Sequence, residues 1–375
     1  MNKKMQFKLD YYSFTFPFEC HVGDVKELII EDVVEMVGKF FNIDKSLVKR
    51  EQRPTNRYQY QYTLGESITL RLYGPEDFSG FHTCQIELKG EGCREFEARC
   101  QDKNWVDLFF FSMYLNGKTT RLDLAIDDYS NQLALEWVDK KLHKRFYTSS
   151  IKSRAIPRGR IEEGYSITMG SNDSPTQICI YDKKYEQEQK GIPVLEDSCT
   201  RYELRFRGER ANQVRRQLFK TLGHGEEYNE SKIKEFFLGL LYQHLDIKED
   251  NNYSKSDQSK VPTDPIWLNF INNANKVVLP PLEKKECSLD RYMNKYEPML
   301  AKFLLFLYII NNKDRETFEH NIYEILVNNL SLDNKSYHRL NLYLDKLSRS
   351  PITDDDLYKI KGEFYERMID LELPF

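Results

Sequence analysis

The alternation of apolar and polar positions divides the chain into two β-rich stretches followed by a helical one. Residues 7–18 alternate loosely and predict a first strand that stops near Pro17. Val25, Leu28, Ile29, Val33, Met36, Val37 and Phe40 then recur at the three- and four-residue spacing of an amphipathic helix. Tyr58, Tyr60 and Tyr62 share one face of a strand over 57–64, Gly65 and Glu66 supply a turn, and 68–73 returns as the hairpin partner. Residues 82–89 form another strand, 93–115 a Phe-rich helix ending at Asn116-Gly117, and 119–127 a further strand. Strand, helix, three strands, helix, strand is a split βαβ, ferredoxin-like order that leaves helices on one side of a sheet.

A second β-rich unit follows, with a short helix over 133–144, strands over 166–170, 176–182 and 200–207, and a mostly helical stretch over 218–245. Residues 246–263 are polar and predict a linker. Beyond them the pattern is helical only: 289–310 with Pro298 as an interruption, 335–347, and 354–371. The expected class is α+β, with two successive antiparallel-sheet units of ferredoxin-like type followed by an all-helical C-terminal region. The expected boundaries are 1–130, 131–245, the linker 246–263, and 264–375.

Composition narrows the picture. A chain of 375 residues suits two or three domains. A net charge of −4 says nothing for or against nucleic acid, so the placement of charges must decide. The seven cysteines are an odd number with no CxxC pair, which fits reduced thiols in a cytoplasm. No run approaches the roughly 18 apolar residues of a membrane span, and MNKKMQFKLD lacks the apolar core of a signal peptide. A cytoplasmic protein without a membrane partner is expected.

The candidate chemistry lies on the polar sides of four strands. Because side chains alternate, each strand commits one set to one face: Gln85/Glu87/Lys89, Arg121/Asp123/Asp127, Gln177/Cys179/Tyr181, and Arg201/Glu203/Arg205/Arg207. An antiparallel sheet often leaves one face in water, and that alone explains any single strand. Together, however, the faces carry carboxylates at Glu87, Asp123, Asp127 and Glu203, a set suited to Mg²⁺ or Mn²⁺. No His-x-His pair occurs in the chain. A tyrosine beside such a metal suggests phosphoryl transfer: the phenol is a poor nucleophile until a metal, a lysine or a base favours the phenolate. Lys183 would share Tyr181's face if the strand continued. Between Lys140 and Arg160 stand Lys140, Lys141, Lys144, Arg145, Lys152, Arg154, Arg158 and Arg160 with no acidic residue. Such a run is either a solvated face or a phosphate-binding loop.

With LDYYSFTFP, ELKGEGCREFE, TRLDLAIDDY, GSNDSPTQICIYDKKYEQ and TRYELRFR in order over residues 9–210, the chain resembles the replication initiation factor family. That family comprises rolling-circle plasmid initiators of Gram-positive bacteria and the related relaxases of conjugative elements and some phages. The resemblance implies a site-specific DNA strand transferase that nicks at an origin, stays joined to the 5′ end through a tyrosine and frees a 3′-OH. The nucleophile of the IYxK motif falls on Tyr181 and its lysine on Lys183. The acidic positions fall on Asp123, Asp127 and Glu203, with Glu87 a weaker match. Many members carry arginines where this chain has Asn172 and Cys179, so Lys184, Arg201 or Arg205 must supply that charge. Tyr185 is a rival nucleophile. The implied partners are origin DNA, a host helicase and a second copy of the chain. The other readings are a non-catalytic origin-binding module that recruits a helicase, and a polymerase-palm-like phosphoryl transferase.

Overall fold

The computed structural model describes residues 5–18, 25–55, 57–75, 82–152, 156–158, 164–192, 198–222, 229–282, 289–329, 331–346 and 348–370. It divides into two compact units, 1–282 and 283–375.

The first unit is organised on one antiparallel sheet of ten strands. Its strands in chain order are β1 (Met5–Phe18), β2 (Val48–Arg50), β3 (Tyr60–Leu64), β4 (Ile68–Leu72), β5 (His82–Leu88), β6 (Lys118–Asp128), then β8 (Ile156–Arg158), β9 (Ser166–Met169), β10 (Thr176–Asp182) and β11 (Thr200–Arg207). The spatial order is β2-β3-β4-β5-β1-β6-β11-β10-β9-β8. A separate two-stranded piece pairs β7 (Tyr147–Thr148) with β12 (Asp246–Ile247). The two expected β-rich units are therefore the two wings of a single sheet, joined where β6 pairs with β1 on one side and β11 on the other.

One face of the sheet is apolar. Tyr12, Phe14, Ile86, Leu122, Leu124, Ile126, Ile178, Ile180, Tyr202 and Leu204 are wholly buried there. Helices α1 (Val25–Phe40), α2 (Gly90–Arg99), α3 (Trp105–Tyr114), α4 (Leu135–His143), α6 (Glu209–Leu222) and α7 (Glu230–His244) supply the rest of that core. The short α5 (Lys183–Gln189) follows β10.

Several elements differ from the sequence pattern. The expected helix over 93–115 is two helices, because Asn104 caps α3 in a capping box with Asp107. In the ELKGEGCREFE stretch, α2 sits so close to the β3–β4 turn that a Cβ at Gly92 would lie 2.8 Å from the Ser67 carbonyl. Glu95 accepts hydrogen bonds from the Glu66 and Ser67 amides there. This stretch is thus an anchor between helix and hairpin.

Residues 246–263 are not a linker. Val261 is buried, and the helix α8 (Pro265–Phe270) inserts Trp267 and Phe270 into the core of the first unit. The Lys141 ammonium, part of the basic run, is itself buried and donates to Asp250, Asp264 and the Lys248 carbonyl at 2.6, 2.7 and 3.0 Å. Within this segment Asp246 and Lys248 form a buried ion pair while most of the other polar residues face solvent, and the boundary falls at 282. The second unit contains α9 (Leu289–Ile310), α10 (Arg315–Asn329), α11 (Asn334–Lys346) and α12 (Asp354–Asp370). The helix α9 spans Leu289–Ile310, so the expected interruption at Pro298 does not end it. Among the described residues, no helix is long and apolar enough to cross a membrane.

His244, at the end of α7, is buried with Nδ1 2.6 Å from the Ser150 hydroxyl and Nε2 without a hydrogen-bond partner among the described residues. Burial pushes its pKa down from 6.5 to about 4. The ring stays neutral in the fold while the unfolded chain takes a proton below 6.5. Stability is therefore complete above pH 6.5 and lost progressively towards pH 4, by up to roughly 3 kcal/mol. His244→Phe is expected to flatten this acid limb in urea titrations between pH 7 and pH 4.5; an unchanged limb would assign it to other groups.

Candidate active site

The opposite face of the sheet collects the polar sets of adjacent strands in register. Tyr181 lies across from Arg201, which lies across from Asp127. The next row runs Cys179, Glu203, Ala125, and the one after it Gln177, Arg205, Asp123, Tyr11. On the far wing Ser13 faces Glu87, and Glu87 faces Thr69. The expectation that these strands share one charged floor describes this arrangement.

The floor is far more buried than an ordinary solvated face. Asp123, Asp127, Glu203, Glu87, Arg201 and Arg71 are each at most 6% exposed. Every one of the carboxylates is met by an arginine. Arg121 donates to Asp123 at 2.6 Å, Arg205 to Glu203 at 2.7 Å, and Arg71 to Glu87 at 2.8 Å. Glu87 also accepts from the Tyr11 hydroxyl. Arg201 donates through Nε and Nη2 to both oxygens of Asp127, at 2.6 and 2.8 Å, and through Nη1 to Asp10 at 2.7 Å.

The expected four-carboxylate metal set does not assemble. Among the described residues no three His, Cys, Asp or Glu side chains group as a metal site. Glu87 belongs to a separate cluster with Arg71 and Tyr11, and Asp127 is clamped by Arg201. Asp123 and Glu203 remain as a pair. Burial first, and then the Glu203 charge, hold the Asp123 carboxyl well above the ordinary carboxylate value, even though Arg121 opposes the shift. Two carboxylates that repel one another out of water suit a divalent cation, which typically engages one or two carboxylates and completes its shell with water and phosphate. Their arginines, Arg121 and Arg205, are about 30% exposed and reach solvent.

Tyr181 is half-buried near the end of β10. Burial and the Glu203 charge raise its pKa, and Arg201 works against them. The strand ends at Asp182, so the condition under which Lys183 would share Tyr181's face is not met. Asp182 caps α5 by accepting from the Tyr185 amide, and Lys183 opens that helix. Its ammonium pairs with Glu186 and lies 5.8 Å from the Tyr181 ring centre, over the ring face. Tyr185 is carried onto α5, where its ring fills the space a Cβ on Gly164 would occupy, at 2.3 Å. Gly164 has φ +87°, a conformation that glycine tolerates. Lys184 lies 3.8 Å from Glu188. Cys179 is buried, and burial pushes its thiol up to about 11.

Of the basic loop, Lys152 is exposed and Arg158 lies in β8. Arg154 and Arg160 fall outside the described residues. Asp10 is the residue that strand patterning missed. A register shift between Leu9 and Tyr11 inserts it as a bulge in β1. The signal is present in the sequence as a slip of phase, from apolar Phe7 and Leu9 to apolar Tyr12, Phe14 and Phe16.

Comparisons with known proteins bear on the same residues. A family model described as Replication initiation factor matches residues 117–322. A second, described as Rolling Circle replication initiation protein N-terminal domain, matches residues 7–112. A curated relative from Bacillus subtilis (strain 168), named "Putative DNA relaxase NicK", is 34% identical over 199 residues, 51% of this chain and 55% of the relative. The chain thus spans just over half the length of that relative. A solved structure of a Rolling Circle Replication Initiator Protein from Geobacillus stearothermophilus aligns with a TM-score of 0.57 at 21% identity. The alignment covers 73% of this chain and 98% of that one, and shows a shared fold.

The Asp123 environment has a measurable consequence. With its folded pKa raised above 3.8, the carboxyl's contribution to stability is fully present below pH 3.8 and is lost as pH rises through the folded value. Asp123→Asn cannot ionise, so the variant is expected to gain a few degrees in Tm over the native chain at pH 8 and nothing at pH 3.5. Differential scanning fluorimetry across that range reads it; a uniform loss of Tm would show that the Arg121 pair outweighs burial.

Proposed function

The chain belongs to the replication initiation factor family, and from that premise we propose that it is a site-specific DNA nicking and joining enzyme with Tyr181 as nucleophile. It would start rolling-circle replication or conjugative transfer of a mobile element. The observation that carries this reading is the half-buried Tyr181 hydroxyl, set on a strand within the matched segment and facing a floor of arginines and carboxylates.

The tyrosine oxygen attacks the phosphorus of the scissile phosphodiester. As the new O–P bond forms, the bond to the 3′ oxygen breaks. The phenolic proton passes to solvent and the departing 3′ oxygen takes one up. The products are a 5′-phosphotyrosyl protein and a free 3′-OH, and the reverse attack by a 3′-OH rejoins the strand. The phosphotyrosyl bond conserves the energy of the phosphodiester, so joining needs no external energy source.

Tyr181 is protonated at rest, because burial and Glu203 oppose the phenolate. Positive charge must offset the negative charge that develops during attack. Arg201 and Arg205 sit on the same face, and Lys183 steadies the ring. A divalent cation, Mg²⁺ or Mn²⁺, fits Asp123 and Glu203 and would polarise the non-bridging oxygens of the phosphate. Asp127 and Glu87 are left out of that set because their partners Arg201 and Arg71 are buried with them, whereas Arg121 and Arg205, the partners of Asp123 and Glu203, reach solvent and can swing away. Lys152, Arg158 and Lys184 would meet the DNA backbone, with Arg154 and Arg160 adding to the positive charge of that stretch of sequence, and a host helicase is the partner that would unwind the nicked duplex.

An oligonucleotide carrying the origin nick site tests the assignment. With Mn²⁺ the native chain and Tyr185→Phe are expected to form a covalent adduct, and Tyr181→Phe to fall below about a thousandth of that yield. An adduct retained by Tyr181→Phe would refute the assignment. Origin binding without any nicking of supercoiled plasmid would instead make the chain a recruiting module.

The second unit offers a surface for a second copy. Met299, Phe303, Phe306 and Ile310 on α9 are 62%, 48%, 62% and 74% exposed and follow a four-three-four spacing, the pattern of a helix–helix seam. Sedimentation is expected to show a dimer that Phe306→Lys converts to monomer; a monomeric native chain would remove this role.

A further inference from the structure

A guanidinium has five N–H groups. In Arg201 three of them are donated to carboxylates, two to Asp127 and one to Asp10. The other two have no partner among the described residues. The group is 5% exposed, so the arrangement is not a surface ion pair. Nor does stability alone account for it, because a buried ion cluster is commonly no more stable than apolar packing of the same size, although removing one of its partners destabilises the fold.

Its position suggests what it is for. Arg201 is the direct cross-strand neighbour of Tyr181, and side chains so placed have their Cβ atoms about 5 Å apart. Asp127 holds it from the strand on the other side. Asp10 reaches it only through the extra residue of the β1 bulge, from 191 residues away in sequence. Arg201, Asp10, Asp127 and Lys183 line a cleft of about 620 Å³ that opens to solvent. Arg201 also draws the Tyr181 hydroxyl towards ionisation against burial and Glu203.

We propose that Asp127 and Asp10 are positioning residues that hold Arg201 against Tyr181, and that Asp127 is not a ligand of the catalytic cation. Arg201 then faces the negative charge on the tyrosine oxygen and on the phosphate it takes up, with its two remaining N–H groups as donors. This assignment rests on the reading of Tyr181 as nucleophile. It divides the acidic positions by role: Asp123 and Glu203 for the cation, Asp127 and Asp10 for the arginine.

The test separates metal affinity from cleavage in the full chain. Mn²⁺ binding is followed by the electron paramagnetic resonance of the free ion, and adduct formation with the origin oligonucleotide at saturating Mn²⁺. Asp123→Asn is expected to weaken Mn²⁺ binding at least about tenfold. Asp127→Asn and the milder Asp10→Asn are expected to bind Mn²⁺ as the native chain does. Both should nonetheless form adduct roughly 100-fold more slowly, with no rescue by added Mn²⁺. Arg201→Lys should recover part of the rate that Arg201→Gln loses, at unchanged oligonucleotide affinity. If Asp127→Asn loses Mn²⁺ affinity as Asp123→Asn does, and high Mn²⁺ restores its rate, Asp127 is a metal ligand and the proposal fails. It fails equally if folded Arg201→Gln forms adduct at the native rate. A native chain that forms no adduct at all would defeat the functional reading instead, and the Mn²⁺ comparison would still decide the role of Asp127.

Discussion

A carboxylate taken out of water must be met by a cation or give up its charge, and this requirement shapes the polar face of the ten-stranded sheet. Asp123, Asp127, Glu203 and Glu87 are each paired with an arginine from the same strand or a neighbouring one, and Asp10 on β1 reaches Arg201 on β11 across β6. The pairs cross β1, β4, β5, β6 and β11, so the charged network ties together strands that the apolar core ties from the other side. The two faces do different work. The core fixes the register, and the register fixes which acid meets which base.

Under the proposed nicking role, that constraint would also let the site hold acids beside a phosphodiester. An open acidic floor would repel DNA. Here each carboxylate is neutralised in place, and Arg121 and Arg205 keep part of their surface in solvent. Only Asp123 and Glu203 press on one another, which makes their shared position the one place on the floor where an added cation relieves strain in the charges. Tyr181 stands one strand away from Arg201, at the end where β10 gives way to α5.

The helical anchor tells a similar story about motifs. ELKGEGCREFE is the part of the family resemblance that carries most charge, yet Gly92 and Glu95 in it seat α2 on the β3–β4 turn. Lys141, within the basic run, is consumed in holding residues 246–264 to the first unit. Charged residues in a motif serve the fold as often as the chemistry, and only their partners separate the two.

The sequence by itself determined the strands of the site, because alternation over 119–127, 176–182 and 200–207 is strict enough that no other period fits, and with them the membership of one polar face. It also determined the helical character of the C-terminal region. Only the tertiary structure decided that the two β-rich stretches form one sheet, since the pairing of β6 with β11, between residues as far apart as Arg121 and Arg207, leaves no local trace. It also decided that 246–263 belongs to the first unit, where Asp246, Lys248 and Gln258 are buried. Which arginine each carboxylate meets was equally out of reach. Alternation assigns a face, whereas a partner depends on register and on a single bulge at Asp10, and a one-residue shift exchanges every neighbour.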